Sequence, residues 1–362
     1  MVSNQILQNT LDGLKGITRI EMCICDAEGN LLASTFSGAD KYGELTRTFV
    51  ASQADSQLLN GFQFFRISDE GQTEYVLLVE GSTDDIYMSG KLAAFQIQTL
   101  QTAYKEKFDK DNFVKNLLLD NLLLVDIYNR AKKLHIETNS KRTVFIIEAA
   151  STNSAHVLDI VKGLSTVTAK DFATAVDEKD TILVRELSDK VDYDALDRYA
   201  IAIVDALKAE GLSGINVAYG TVVNEIREVS RSYKEAKMAL DVGKIFYTDK
   251  RVVAYSKLGI GRLIYQLPLP LCRMFIKEIF DGKNPNELDE ETLTTINKFF
   301  ENSLNVSETS RQLYIHRNTL VYRIDKLEKS TGLDIREFDD AITFKIALMV
   351  GKYMQYMEKQ DY

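Results

Sequence analysis

The chain has 362 residues, of which 45% are hydrophobic and 27% charged, enough for about two or three globular domains with ordinary cores. A formal charge of -9 excludes a general cationic coat for nucleic acid, so any such contact must be concentrated on one element and doubled by dimerisation. Three cysteines, Cys23, Cys25 and Cys272, exclude a disulfide framework.

Residues 1–88 predict an α+β module. A helix over 4–14 leads to a strand at 19–25, an acidic turn at 26–30 and a strand at 31–36, which together read as a hairpin. A second strand pair, 61–68 and 74–80, flanks Asp69, Glu70 and Gly71. Antiparallel strands with one helix between them and one after resemble PAS-like or roadblock-like sensor modules. Cys23 and Cys25, two apart on a strand, face one side and read as buried small hydrophobes. Thr35, Arg47, Arg66 and Tyr75 lie on or between the strands and are candidates for binding a small-molecule effector. Their arginines suit a carboxylate or phosphate, although each also fits a salt-bridged surface arginine.

Residues 89–135 predict a helical linker. Ala93, Ile97, Leu100, Tyr104 and Phe108 step by three and four along one helix face. Charges crowd 105–111, and the apolar pattern restarts at Phe113, so two helical pieces joined near Lys110 are expected. Residues 117–125 are apolar nearly all round apart from Asp120 and Asn121. They require cover from a neighbouring domain or a second subunit, and are too short to span a bilayer. Residues 1–10 are polar and carry no secretion signal, so a cytoplasmic protein with no membrane contact is expected.

Residues 136–258 alternate strands and helices, predicting a sheet covered by helices. Strands are expected at 142–148 and 215–219, and a hairpin at 171–176 and 181–184 around Asp177, Glu178, Lys179 and Asp180. Helices are expected at 155–164, 193–210 and 226–241. Ser232, Tyr233, Glu235, Ala236, Ala239 and Leu240, with Gly220 before them, resemble the degenerate GGDEF-like domain in the middle of CdaR-type regulators. In active cyclases of that fold a glycine pair in the hairpin admits the nucleotide, and carboxylates there and at the end of the first strand hold two metals. Here the turn has no glycine pair and Glu148 is the only acid ending the first strand, so no catalysis is expected.

Beyond 252 an irregular connector holds Gly259, Gly261, Pro268 and Pro270, followed by helices at 271–280 and 290–300. Residues 304–333 then predict a helix-turn-helix. Asn305 and Glu308 resemble a capping box, and Val306, Thr309 and Leu313 give the first helix a buried face. Tyr314, Ile315 and His316 are the turn, with Ile315 plugging the gap between the helices. The second helix turns Leu320, Ile324 and Leu327 inward and leaves Arg317, Asn318, Tyr322, Arg323 and Lys326 outward, closing at Gly332. Such a helix reads the major groove with its N-terminal residues first. Arg317 suits guanine, Asn318 adenine, and Thr319 a phosphate or a thymine methyl. A last helix, 340–357, places Ile342, Ile346, Met349 and Met354 on one stripe to pack against this unit.

The run from Tyr314 to Arg323 resembles the HRNTLxYR signature of PucR-type regulators, and residues 328–334 resemble the TGxDL element after it. The match covers roughly the last seventy residues. It implies a ligand-responsive transcription regulator that binds double-stranded DNA as a homodimer or higher homo-oligomer, through His316, Arg317, Asn318, Thr319, Tyr322, Arg323 and Lys326. The domain at 286–362 carries this activity. The first module does not resemble the diacid-recognition segment of the CdaR branch, so that ligand class is not implied. Three scattered histidines, His135, His156 and His316, leave little material for a metal site or triad, so neither metal nor cofactor is expected. The competing class is a nucleotide-sensing or protein-interaction scaffold whose helix-turn-helix does not bind DNA.

Overall fold

The computed structural model describes residues 2–69, 71–150, 153–188, 192–280, 285 and 288–360. Glu70, expected in a turn, and residues 286, 287, 361 and 362 of the expected DNA-binding domain lie outside them. The chain divides into two compact units, Met1–Phe113 and Val114–Tyr362.

The first unit opens with α1 (Asn4–Thr18), then β1 (Met22–Asp26), β2 (Leu31–Ser34), α2 (Gly43–Ala51), β3 (Ser56–Leu59), β4 (Phe62–Asp69) and β5 (Gln72–Glu80). The antiparallel sheet has the order β2-β1-β5-β4-β3. Both faces are covered, so the centre of β5, Tyr75 to Val79, reads as a continuous apolar run rather than an alternating one. One face sets Met22, Ile24, Phe65 and Leu77 against Leu7 and Leu11 of α1 and against Ala93 and Ile97. The other sets Cys23, Cys25, Phe64 and Leu78 against Phe49 of α2. Both cysteines are buried on one side, as their spacing requires.

The helix α3 (Asp84–Leu118) is continuous over 35 residues, which corrects the expectation of two pieces joined near Lys110. The charges at 105–111 are good helix formers at compatible spacing, and Lys110 bonds Glu106 one turn earlier at 2.8 Å. Without glycine or proline in that stretch there is nothing to break the helix.

In the second unit α4 (Leu124–Lys133) precedes β6 (Arg142–Ala149), α5 (Ser154–Gly163), β7 (Phe172–Ala175), β8 (Asp180–Glu186), α6 (Tyr193–Ala209), β9 (Ile215–Tyr219), α7 (Val229–Phe246) and β10 (Val252–Ala254). The sheet order is β10-β9-β6-β8-β7, with only β10 and β9 parallel. Phe145, Ile147, Leu183 and Val217 pack under α5 and α6. On the opposite face lies α7, and Gly220 makes its approach possible: a Cβ there would stand 2.0 Å from the Ser232 carbonyl oxygen. Ser232 donates to the Thr221 carbonyl (2.8 Å) and accepts from the Val144 N–H (3.1 Å). Glu235 accepts from the Thr221 N–H at 2.8 Å. The residues that resembled a GGDEF-like domain therefore dock this helix on the sheet.

Leu117 and Leu118 are buried, but Leu119, Leu123, Leu124 and Val125 are 45–76% exposed. Cover for residues 117–125 is thus only partly found within one chain. Asp120 is held by Lys234 of α7 at 2.7 Å, and Tyr128 donates to Glu225 at 3.2 Å, so residues 120–128 lie against the GGDEF-like part.

The connector is more regular than expected, with α8 (Gly261–Tyr265) and α9 (Leu269–Phe280). Pro270 sits in the first turn of α9, where a missing N–H costs no helical bond. Then come α10 (Glu290–Glu301), α11 (Val306–Gln312), α12 (Arg317–Thr331) and α13 (Phe338–Gln360). Helix α13 is buried on two sides: Phe344 and Leu348 join the core under α10 and α12, while Ala347, Val350 and Tyr353 join Ile245, Ile264, Cys272 and Ile276. The expected stripe of Ile342, Ile346, Met349 and Met354 therefore flanks the buried residues rather than forming their centre, and Ile342 is 42% exposed.

Candidate nucleic-acid interface

Helices α11 and α12 and the turn between them form the expected motif. The Asn305 side chain caps α11 by accepting from the Glu308 N–H at 3.0 Å. The capping box is not reciprocal, because the Glu308 carboxylate instead takes Arg311 (2.6 Å) and Gln312 (2.8 Å). Those bonds lower the Glu308 pKa to about 2. Leu320, Ile324 and Leu327 are buried, Ile315 packs on the same core, and Gly332 ends α12 with a left-handed φ of 76°.

His316, Arg317, Asn318, Thr319, Tyr322 and Lys326 are all exposed along α12 and at its start. His316 has a structural task as N-cap, its Nδ1 accepting from the Asn318 N–H at 3.2 Å. Arg323, expected as a free outward cation, is committed: it donates to Thr295 Oγ1 at 3.2 Å and is paired with Glu291, both on α10. Arg336 bonds Asp325 (2.8 Å), Glu328 (2.9 Å) and Asp334 (2.7 Å), compensating both acids late on α12. Among the described residues, Arg317, Lys326 and Lys329 are the cations of α12 without a carboxylate partner. Tyr314, placed in the turn by its spacing, has no buried side-chain role there. It is 96% exposed at φ 54°, an uncommon conformation for an aromatic residue and a candidate phosphate contact.

The four effector candidates do not converge. Arg66 lies on the α2 face of the sheet and donates to the carbonyls of Phe49 (3.3 Å), Val50 (3.1 Å) and Ala54 (2.9 Å), tying down the end of α2. Tyr75 is buried on the opposite face, where its hydroxyl accepts from the Val2 N–H at 3.2 Å. Thr35 bonds Glu21 at 2.5 Å, and Arg47 is exposed with one bond to the Glu28 carbonyl at 3.2 Å. A register shift between Ile67 and Ser68 sets Ile67 rather than Arg66 opposite Tyr75, so the two side chains leave opposite faces, and no turn or strand residue in the sequence announces that shift.

In the middle sheet, Glu148 at the end of β6 faces Asp180 of β8 across the register. Lys244 bonds Glu148 at 2.8 Å and Lys237 is paired with Asp180, both lysines projecting from α7. Burial works against the Lys237 ammonium, but Asp180 outweighs it and raises its pKa. Asp177 is a turn former, its carboxylate accepting from the N–H groups of Lys179 (2.9 Å) and Asp180 (2.7 Å). Among the described residues no group of three or more His, Cys, Asp or Glu side chains is placed to hold a metal ion. None of their helices is long and apolar enough to cross a membrane.

Two family models match the chain: a PucR C-terminal helix-turn-helix domain over residues 292–350 and a GGDEF-like domain over 121–242. The chain is 24% identical over 308 residues to the carbohydrate diacid regulator of Escherichia coli (strain K12), covering 78% of each protein. It is 23% identical over 139 residues to the purine catabolism regulatory protein of Bacillus subtilis (strain 168), covering 38% of this chain and 26% of that one. To the proline-responsive transcriptional activator PutR of the same organism it is 25% identical over 148 residues, 38% of this chain and 34% of that one.

Proposed function

We infer that this chain, a transcription regulator of the PucR/CdaR type, binds specific double-stranded DNA by laying α12 in the major groove. The carrying observation is the row of exposed Arg317, Asn318 and Thr319 at the start of a helix whose other face is locked into the core. Arg317 and Asn318 contact bases, while Thr319, Tyr322, Lys326 and Tyr314 contact the backbone. Arg323 and His316 hold the helix in place. One head offers few free cations, so a specific site needs two or more heads, and a homo-oligomer is part of the proposal.

The four-part division expected from the sequence, with a sensor-like module first, fits this role in a cytoplasmic regulator. The relatives' names mention carbohydrate diacids, purine catabolism and proline, so relatives of this chain are named for unlike metabolites. For this chain the effector is a small molecule of its own class. The GGDEF-like domain is read as non-catalytic, because lysine ammonium groups already compensate Glu148 and Asp180. Incubation of the purified chain with GTP and magnesium tests this: no turnover is expected, and cyclic dinucleotide formation contradicts it. Selection of bound sequences from a random DNA pool tests the main reading. A recurrent motif supports it, and a pool that stays unenriched favours the protein-binding scaffold.

A further inference from the structure

We propose that the cleft between the end of α7, the residues entering α8, and the α10–α13 pair binds a small amphipathic anion, with an aromatic or short acyl body and one carboxylate or sulfonate head. The cleft has a volume of about 410 Å3, within the range of small-molecule sites. Its walls are apolar where Phe246, Ile260, Leu293 and Met349 meet, and α13 adds Lys345 and Lys352. These lysines are seven residues apart, on one face of the helix and roughly 10 Å apart along its axis.

Among the described residues neither ammonium is paired with a carboxylate. Lys345 lies 5.3 Å from the centre of the Phe300 ring. Glu301 acts on it only through its charge and is itself engaged by Lys298 at 2.6 Å. Both lysines are exposed at the mouth of the cleft, where two ammonium groups without a paired carboxylate set a positive potential beside the apolar wall. Burial of part of its stem, and then the Lys352 charge, lower the Lys345 pKa. An anion with an apolar body answers both the potential and the open apolar wall, whereas a neutral apolar molecule answers only the second. The occupant would touch Leu293 of α10, the helix that holds Arg323 of the reading helix.

The test is titration of the full chain, without DNA, with 2-naphthylacetate and with its neutral isostere 2-naphthylacetamide. Naphthyl emission is readable because the chain has no tryptophan. Expected are saturation at one site per chain by the acetate, amide binding weaker by roughly tenfold or more, and reduction of acetate binding to the amide level in a Lys345→Gln, Lys352→Gln variant. Absence of saturation up to about 1 mM overturns the site, as does equal binding of acid and amide by the native chain. Unchanged acetate binding by the folded variant does so too. The acid–amide comparison decides even if the variant does not fold, and none of these results depends on DNA recognition.

Discussion

Arg317 opens α12 exposed and unpaired, whereas Arg323, less than two turns further on, is 23% exposed and holds Thr295 and Glu291. Their alanine variants are therefore expected to fail differently. Arg317→Ala should lose about 1–3 kcal/mol of specific binding per head with an unchanged melting temperature. Arg323→Ala should first lower the melting temperature, by the equivalent of about 1 kcal/mol, because it removes the tie between α12 and α10. Anisotropy titrations beside thermal melts separate the two. An Arg323→Ala protein that melts normally but no longer binds would make Arg323 a base contact instead. Asn318→Ala should relax base preference at one position. The outward face of α12 was legible because helical period alone decides which residues leave the core. The partner of Arg323 was not, since Glu291 lies 32 residues earlier and meets it only through tertiary packing.

Elements with long apolar runs or strong helical period, such as β6, β9 and α12, were readable within a few residues. The strands β3 and β10 were not: they have four and three residues and are supported by sheet pairing rather than by their own pattern. The continuity of α3 was missed because a charged stretch was taken as a break, although its charges support the helix. Gly220→Ala tests the docking of α7. A Cβ 2.0 Å from a backbone oxygen forces the helix off the sheet, and a loss of about 1–3 kcal/mol or more in urea unfolding is expected. An unchanged midpoint would show that the helix yields freely. The helix-turn-helix should also be acid-sensitive. Asp289 is lowered by its hydrogen bonds to Thr292, Glu308 by Arg311, and Asp334 by Arg336. Depressed carboxylates stabilise the folded state fully above their unfolded pKa values. That contribution is lost as pH falls from the ordinary carboxylate range towards about 2, the value for Glu308. Melting of the full chain followed at stepwise lower pH should show the decline beginning in that window, and a flat profile there would contradict these pairings.

At the scale of the whole molecule, the proposed second copy rests on the exposed Leu119, Leu123, Leu124 and Val125 and on the few free cations of one head. Leu118 is fully buried, so its replacement would test folding rather than assembly. Leu123→Asp with Val125→Asp changes only exposed positions. Sedimentation should show an oligomer in the native chain and a folded monomer in this variant, with DNA affinity falling as paired heads are lost. A variant that stays oligomeric moves the interface elsewhere. The most direct measurement of DNA reading by α12 is a nuclease footprint of the full chain on the region upstream of its own gene, run beside Arg317→Ala. The native chain should protect two half-sites about 34 Å apart or a multiple of that, and the folded variant should protect neither. An identical footprint from both proteins would contradict recognition by this helix.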